Sequence, residues 1–302
     1  MKKLLLLSLM LVSSAWANVV TVTVPHPPGG APDVWARIVS KYLAQELDHD
    51  FVVVNRPAAD GRIAVDNVLQ QPANGRNIIV VSTGPFLFNK ILFKKLNYDY
   101  TDFDTIVPLA QVPIALVVSN RLGVNNLKEF ITLARTKSLN CAGSSASSVF
   151  IGRYMMQEIK SKEVQFVPFK GSADMNLQLA AGNIDCGFDT TLATLPLHQD
   201  GKFKIIATST QTQILPNTSL FKSAVPNLVF YNWYGIGLRI NSPGSDQVFK
   251  ALRKINKNPE FQSAVVKAGL EIVDPPEHGT QWLHQEYLRF DAIRESLKIP
   301  KE

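Results

Sequence analysis

Short β-branched runs alternate with amphipathic runs of helical spacing along this chain, in two successive groups. The first unit sets the pattern. Val19-Val20-Thr21-Val22-Thr23-Val24 has the residue types of a buried strand. From Val34 to Leu47 the residues Ile38, Val39, Tyr42, Leu43 and Leu47 recur at helical spacing. Between the two lies a Pro/Gly-rich loop that includes His26, Pro27, Pro28, Gly29 and Gly30. The two glycines let a ligand approach the backbone. Pro32 and Asp33 both favour a first helical turn. A strand, a bare loop and a helix N-terminus together suit a small anion held by main-chain N–H groups.

The same rhythm continues. Strands are expected at Phe51–Val54, Asn77–Ser82, Leu139–Ala142, Val164–Phe169, Ile184–Phe188 and Phe203–Thr208. Helical stretches separate them, and helices are also expected around Gln247–Ile255, Pro259–Ala268 and Gln281–Leu297. This order predicts an α/β fold of mainly parallel sheets covered by helices. The restart after residue 119 predicts two lobes. Extended segments near 111–119 and 232–240 are then a hinge of two crossing strands. The expected organisation is lobe 1 at 18–115 plus 236–302, discontinuous in sequence, and lobe 2 at 116–235.

The first 17 residues read as a cleaved signal peptide: Lys2 and Lys3, a short apolar core from Leu4 to Val12, and Ala15-Trp16-Ala17 as the cleavage site. The apolar core is too short to span a bilayer. The expected location is therefore periplasmic. Removing two lysines lowers the formal charge from +6 to +4, which favours anionic ligands and is too little for a nucleic-acid partner. Export also permits pairing of the two cysteines, Cys141 and Cys186. Neighbouring parallel strands rarely offer disulfide geometry, however, and this favours two reduced, buried thiols. No spacing suggests a metal site.

Five loops share one property: each follows an expected strand and is rich in Gly, Ser, Thr or Pro. They hold His26, Pro27, Pro28, Gly29, Gly30 and Asp33; Ser82, Thr83 and Gly84; Ser144, Ser145, Ser147 and Ser148; Lys170, Gly171 and Ser172; and Asp189 and Thr190. In open parallel sheets ligands bind at the carboxyl ends of strands, and hydroxyls with helix N-terminal amides suit a carboxylate. Caps and turns use the same residue types, so only the shared placement of all five argues for a site. Asp189 reads equally as an acceptor for a ligand's hydroxyl, amino group or bound water and as an N-cap. Lys170 reads as a carboxylate partner or as a solvated lysine. Catalytic motifs are missing. His26 with Ser144 or Ser147 imitates a nucleophile and its base, but no orienting acid is evident. Neither catalytic residues nor a cofactor is expected.

With these residues in place, the chain from about Val19 to Leu297 resembles the substrate-binding proteins of tripartite tricarboxylate transporters, the Bug family of periplasmic receptors. The markers are Val24-Pro25-His26-Pro27-Pro28-Gly29-Gly30-Ala31-Pro32-Asp33, Val53-Val54-Asn55-Arg56-Pro57 and Lys95-Leu96-Asn97-Tyr98-Asp99. They continue with Val167-Pro168-Phe169-Lys170-Gly171-Ser172, and with Gly182-Asn183-Ile184-Asp185 leading to Phe188-Asp189. The resemblance implies a Venus-flytrap (type II periplasmic-binding-protein) fold without catalysis. The implied ligand is a small organic acid: a di- or tricarboxylate, an acidic amino acid or an aromatic acid. It also implies that Asp189 contacts the ligand, and that a monomeric receptor closes on it and delivers it to membrane permease subunits. Alternatives are a periplasmic sensor that presents the closed form to a signalling protein, and a hydrolase on the same scaffold. The sequence departs from the family at His26, where an aromatic is usual, and at Thr190, where Asn is usual. It also departs in a serine loop at 143–148 about two residues shorter than usual, and at Asp60-Gly61-Arg62, where the family is richer in glycine. A cleft-lining His26 predicts affinity that changes between about pH 5.5 and 7.5.

Overall fold

In the structure, a computed structural model, residues 19–169, 171–212 and 214–301 are described. The expected signal peptide and Lys170 lie outside them. The first group runs β1 (Val19–Val24), α1 (Ala31–Leu47), β2 (Asp50–Asn55), α2 (Arg62–Gln70), β3 (Asn77–Ser82) and a short α3 (Asn89–Leu92). A 17-residue strand follows, β4 (Phe103–Ser119). The second group is α4 (Leu127–Ala134), β5 (Ser138–Gly143), α5 (Ala146–Glu158), β6 (Glu163–Pro168), α6 (Ser172–Ala180), β7 (Cys186–Thr190), α7 (Thr191–Gln199), β8 (Phe203–Thr208) and β9 (Ser219–Leu220). The chain then returns through β10 (Tyr231–Arg239) to α8 (Ser245–Asn256), α9 (Pro259–Lys267), β11 (Glu271–Ile272) and α10 (Gly279–Ser296). Among the described residues no helix is long and apolar enough to cross a membrane.

Strand directions explain why the loops face one another. The main strand order is β2-β1-β3-β10-β4-β7-β5-β6. β1, β2 and β3 are mutually parallel, and β10 is antiparallel to both β3 and β4. β3 therefore runs in the same sense as β4. β7 is antiparallel to β4, and β5 and β6 are parallel to β7. The carboxyl ends of β1 and β3 thus point toward the second lobe, and those of β5, β6 and β7 point back. β4 changes partners between them: it pairs with β10 over Phe103–Pro113 and with β7 from Ile114. This is a two-lobed periplasmic-binding-protein architecture.

The extended run expected from residue 111 starts at Phe103 instead. Asp104 and Pro108 hide the earlier half, since proline in a central strand removes a ladder donor. The strand tolerates Pro108 because the register of β10 shifts there: Tyr234 pairs with Ala110, but Ile236 pairs with Ile106. Residues 107–109 face Gly235 alone. A side chain at Gly235 would meet Val107 and the Ile106 carbonyl, which accounts for the glycine.

The cysteines correct a second expectation. Cys141 and Cys186 form a disulfide. They lie directly opposite in the β5–β7 register, with Cα atoms 4.5 Å apart, inside the range that a disulfide bridges. Both are fully buried.

Behind the strand crossing, apolar packing joins the lobes. Phe88 after β3, Phe150 of α5, Phe230 before β10 and Phe290 of α10 form one cluster. Ring centroids are 5.2 Å apart for Phe88–Phe150, 5.8 Å for Phe88–Phe230 and 5.4 Å for Phe230–Phe290. Each side chain is at least 98% buried. Edge-to-face pairs of this kind contribute about 0.5–1.5 kcal/mol beyond the area they bury.

Candidate functional site

On the first lobe, the β1–α1 loop is braced from below. Asp33 is 3% exposed. Its Oδ2 accepts from the Gly29 amide at 2.9 Å and from Arg37 Nε at 3.0 Å, and its Oδ1 accepts from Asn55 Nδ2 at 2.9 Å. Burial raises its pKa, but the bonds from Arg37, Gly29 and Asn55 outweigh that and hold it below the usual carboxylate value. In this structure Asp33 therefore braces the loop. The Gly29 amide is likewise taken. Gly29 has φ +80°, a left-handed turn that favours glycine. Pro27 and Pro28 have no N–H, so the main-chain cradle narrows to Gly30 and Ala31 at the start of α1. Among the described residues these two amides meet no protein acceptor. Asn55, at the end of β2, also donates to the His26 carbonyl at 3.1 Å.

His26 is half-buried and its Nε2 shares a 2.8 Å hydrogen bond with Ser82 Oγ at the end of β3. Burial lowers its pKa to about 4. At that value the ring is neutral in the unliganded protein throughout the pH 5.5–7.5 window in which its effect is expected (about one pH unit each side of a free histidine). Next to Ser82, Thr83 is used structurally: its Oγ1 accepts from the buried Trp233 amide at 3.1 Å. A side chain added at Gly84 would meet nothing within 4 Å.

On the second lobe, β5 and β7 end side by side, as their parallel register requires. Ser144 Oγ donates to Asp189 Oδ1 at 2.5 Å, and the Thr190 amide donates to the same oxygen at 2.7 Å. Asp189 is 1% exposed, and its Oδ2 has no partner among the described residues. Burial raises its pKa to about 6, against the opposing pull of hydrogen bonding from Ser144, Ser172 and Thr190. The N-cap of α7 is Thr190, whose Oγ1 accepts from the Ala193 amide at 3.4 Å. This resolves one ambiguity, because Asp189 is not the cap. Ser145 caps α5, and its hydroxyl lies 2.9 Å from those of both Ser147 and Ser148. Ser147 Oγ reaches Asn232 Oδ1 on β10 at 3.3 Å. Gly171 precedes α6 with open space where a Cβ would stand, and Ser172 opens that helix.

Two residues of β10 complete the arrangement. Tyr234 pairs with Ser82 in the β3 register, and its phenol pKa is raised by burial first and then by the Asp189 charge. Ser82, Tyr234 and Asp189 are therefore neighbours across the lobe crossing. Asn232 lies on the same strand face, two residues earlier. The alternation of side chains along Asn232-Trp233-Tyr234 was the available signal, since every second residue of a strand shares a face. The structure thus joins His26 to Ser82, Ser144 and Ser172 to Asp189, and brings Ser82 and Asp189 to Tyr234. It commits Asp33, Thr83, Ser145, Ser148 and Thr190 to bracing and capping. Gly143 is a pressure point: a Cβ there would stand 2.8 Å from Val149 Cγ2 and 2.9 Å from the Ser148 carbonyl carbon. Gly143→Ala is expected to displace the serine loop, lowering stability by about 1–3 kcal/mol in urea melts and weakening ligand binding. An unchanged melt would refute that close approach.

Known proteins share this design. Protein BugT of Bordetella pertussis is 25% identical over 266 residues, 83% of this chain and 79% of that one. The structure of Rpa4515 from R. palustris with adipate superposes with a TM-score of 0.84 at 24% identity, over 94% of this chain and 98% of that one. MatC (Rpa3494) from Rhodopseudomonas palustris with bound malate gives 0.77 at 21%, over 91% and 98%. The family model of the tripartite tricarboxylate transporter family receptor matches residues 35–298. The chain belongs to the tripartite tricarboxylate transporter receptor family.

Proposed function

We propose that this protein is a periplasmic receptor that captures a small organic acid between its lobes and delivers it to membrane permease subunits. The observation that carries the reading is the convergence of strand ends from both lobes on one place. The amides that open α1, with His26 and Ser82, lie on one side; Ser144, Ser172 and Asp189 lie on the other. Amides at a helix N-terminus and convergent hydroxyls are groups that hold a carboxylate. The adipate and malate seen in two related structures support this ligand class. The moving bodies we assign are 18–115 with 236–302, and 116–235, and a bound acid that touches both favours the closed form by its differential affinity. Hydrolysis has less support: the Ser–His contact is His26–Ser82, no acid among the described residues orients the ring, and burial leaves the imidazole a weak base.

A thermal-shift screen against mono-, di- and tricarboxylates tests the proposal. A cognate acid at 100 times its Kd adds about 2.7 kcal/mol of stability. Asp189→Ala is expected to weaken that acid at least tenfold, about 1.4 kcal/mol, in a folded protein. If no carboxylate shifts the melt, the receptor reading fails.

A further inference from the structure

Asp189 is an unusual carboxylate to find facing an anionic ligand. Oδ1 is already used, by the Ser144 hydroxyl and the Thr190 amide. Oδ2 is sealed from water and receives nothing from any described residue. Tyr234, on the β10 strand that crosses between the lobes, stands near enough to feel the Asp189 charge, yet no hydrogen bond joins them among the described residues. Ser172, from α6, also favours the charged form from nearby without filling Oδ2. A buried acceptor without a donor is costly, and this one sits where the two lobes meet.

Given the carboxylate-binding reading, on which this step rests, we infer that the preferred ligand carries a hydroxyl or ammonium group beside one carboxylate, and that Asp189 Oδ2 accepts its proton. Such a ligand places its carboxylate toward the α1 amides and its donor on the free oxygen. An unsubstituted dicarboxylate offers only acceptors and sets anionic oxygen against anionic oxygen. The titration of Asp189 near pH 6 agrees with a group that is ionised at neutral pH and able to receive a donor there. A donor held at one fixed oxygen also makes the site sensitive to the configuration of the carbon bearing it.

The test is calorimetric titration at pH 7.5 with matched acids. Succinate is compared with both enantiomers of malate and of aspartate, and glutarate with 2-hydroxyglutarate and glutamate. The expected result is that a substituted acid binds at least tenfold tighter than its parent and at least fivefold tighter than its enantiomer. Asp189→Asn should reduce the preference over the parent to less than threefold while both acids still bind. Ser144→Ala, which leaves Oδ2 untouched, should keep the preference even where overall affinity falls. If parent and substituted acids bind equally, the inference is overturned while the carboxylate reading stands. If the preference survives Asp189→Asn, the donor is received elsewhere and the inference is likewise overturned. If no acid in the panel binds, or any other carboxylate class, both readings fall together.

Discussion

Replacing Cys141 and Cys186 together by alanine is expected to lower the stability of the folded chain by about 4 kcal/mol. The figure follows from the 45-residue separation the disulfide spans, because opening a loop of that length returns conformational entropy mainly to the unfolded chain. Both sulfurs are buried between β5 and β7, so a small packing loss adds to the entropic one. Urea melts of the variant and of the unreduced wild type measure the difference directly. A loss below about 1 kcal/mol would contradict the estimate from loop length. Binding should weaken too. Ser144 lies three residues beyond Cys141, and Asp189 three beyond Cys186, so the bridge holds in register the two strand ends that share the 2.5 Å Ser144–Asp189 bond.

The second large effect is a pair of opposed pH dependences. Asp189 titrates near 6 in the folded protein against an ordinary value of 3.8, because it is buried. A carboxyl whose folded pKa is raised costs stability as pH climbs from about 4 through 6, here about 3 kcal/mol once fully ionised. His26 titrates near 4 against an ordinary value of 6.5, also through burial. A histidine buried neutral contributes stability above about pH 6.5 that is lost as pH falls toward 4, again about 3 kcal/mol. Between pH 4 and 6 the two slopes have opposite signs and nearly cancel (about 2 to 2.5 pH units of titration each). Asp189→Asn should therefore raise stability at pH 7.5, by up to about 3 kcal/mol, and uncover the histidine slope, with stability rising from pH 4 to 6.5. His26→Phe should uncover the carboxylate slope, with stability falling from pH 4 to 6. Urea melts at four pH values, each variant subtracted from wild type, isolate these two groups from the other carboxylates. Parallel curves for all three proteins would show that neither group is shifted as described. A stabilising Asp189→Asn that also binds poorly means the site holds an ionised group at the expense of the empty protein.

The positions of most strands were readable because β-branched runs such as Val19–Val24 and Asn77–Ser82 are largely buried, and burial writes itself into composition. The first half of β4 was not, since Pro108 is tolerated only through a register shift in β10, a strand more than 120 residues away in sequence. Cysteine pairing failed for a related reason: which residues of β5 and β7 stand opposite depends on register, not on either strand alone. The loops were located correctly, but their division of labour was hidden. Asp33 and Asp189 are both acids beside helix starts. Asp33 meets Gly29, Arg37 and Asn55, whereas one oxygen of Asp189 meets no donor among the described residues, and only three-dimensional neighbours make that difference. Tyr234 and Asn232 passed for hinge residues because aromatics in a strand usually mean core.

The four phenylalanines behind the strand crossing give the proposed closing motion a fulcrum. Two lobes levered about such a point move least beside it and most at the outer lip of the cleft. Altering the size of Phe88, Phe150, Phe230 or Phe290 would re-balance open and closed populations with no ligand atom touched, and apparent affinity scales with the competent fraction. Affinity in such a receptor is then adjustable from its back as well as from its binding residues, so relatives with the same pocket can hold the same acid with different strength.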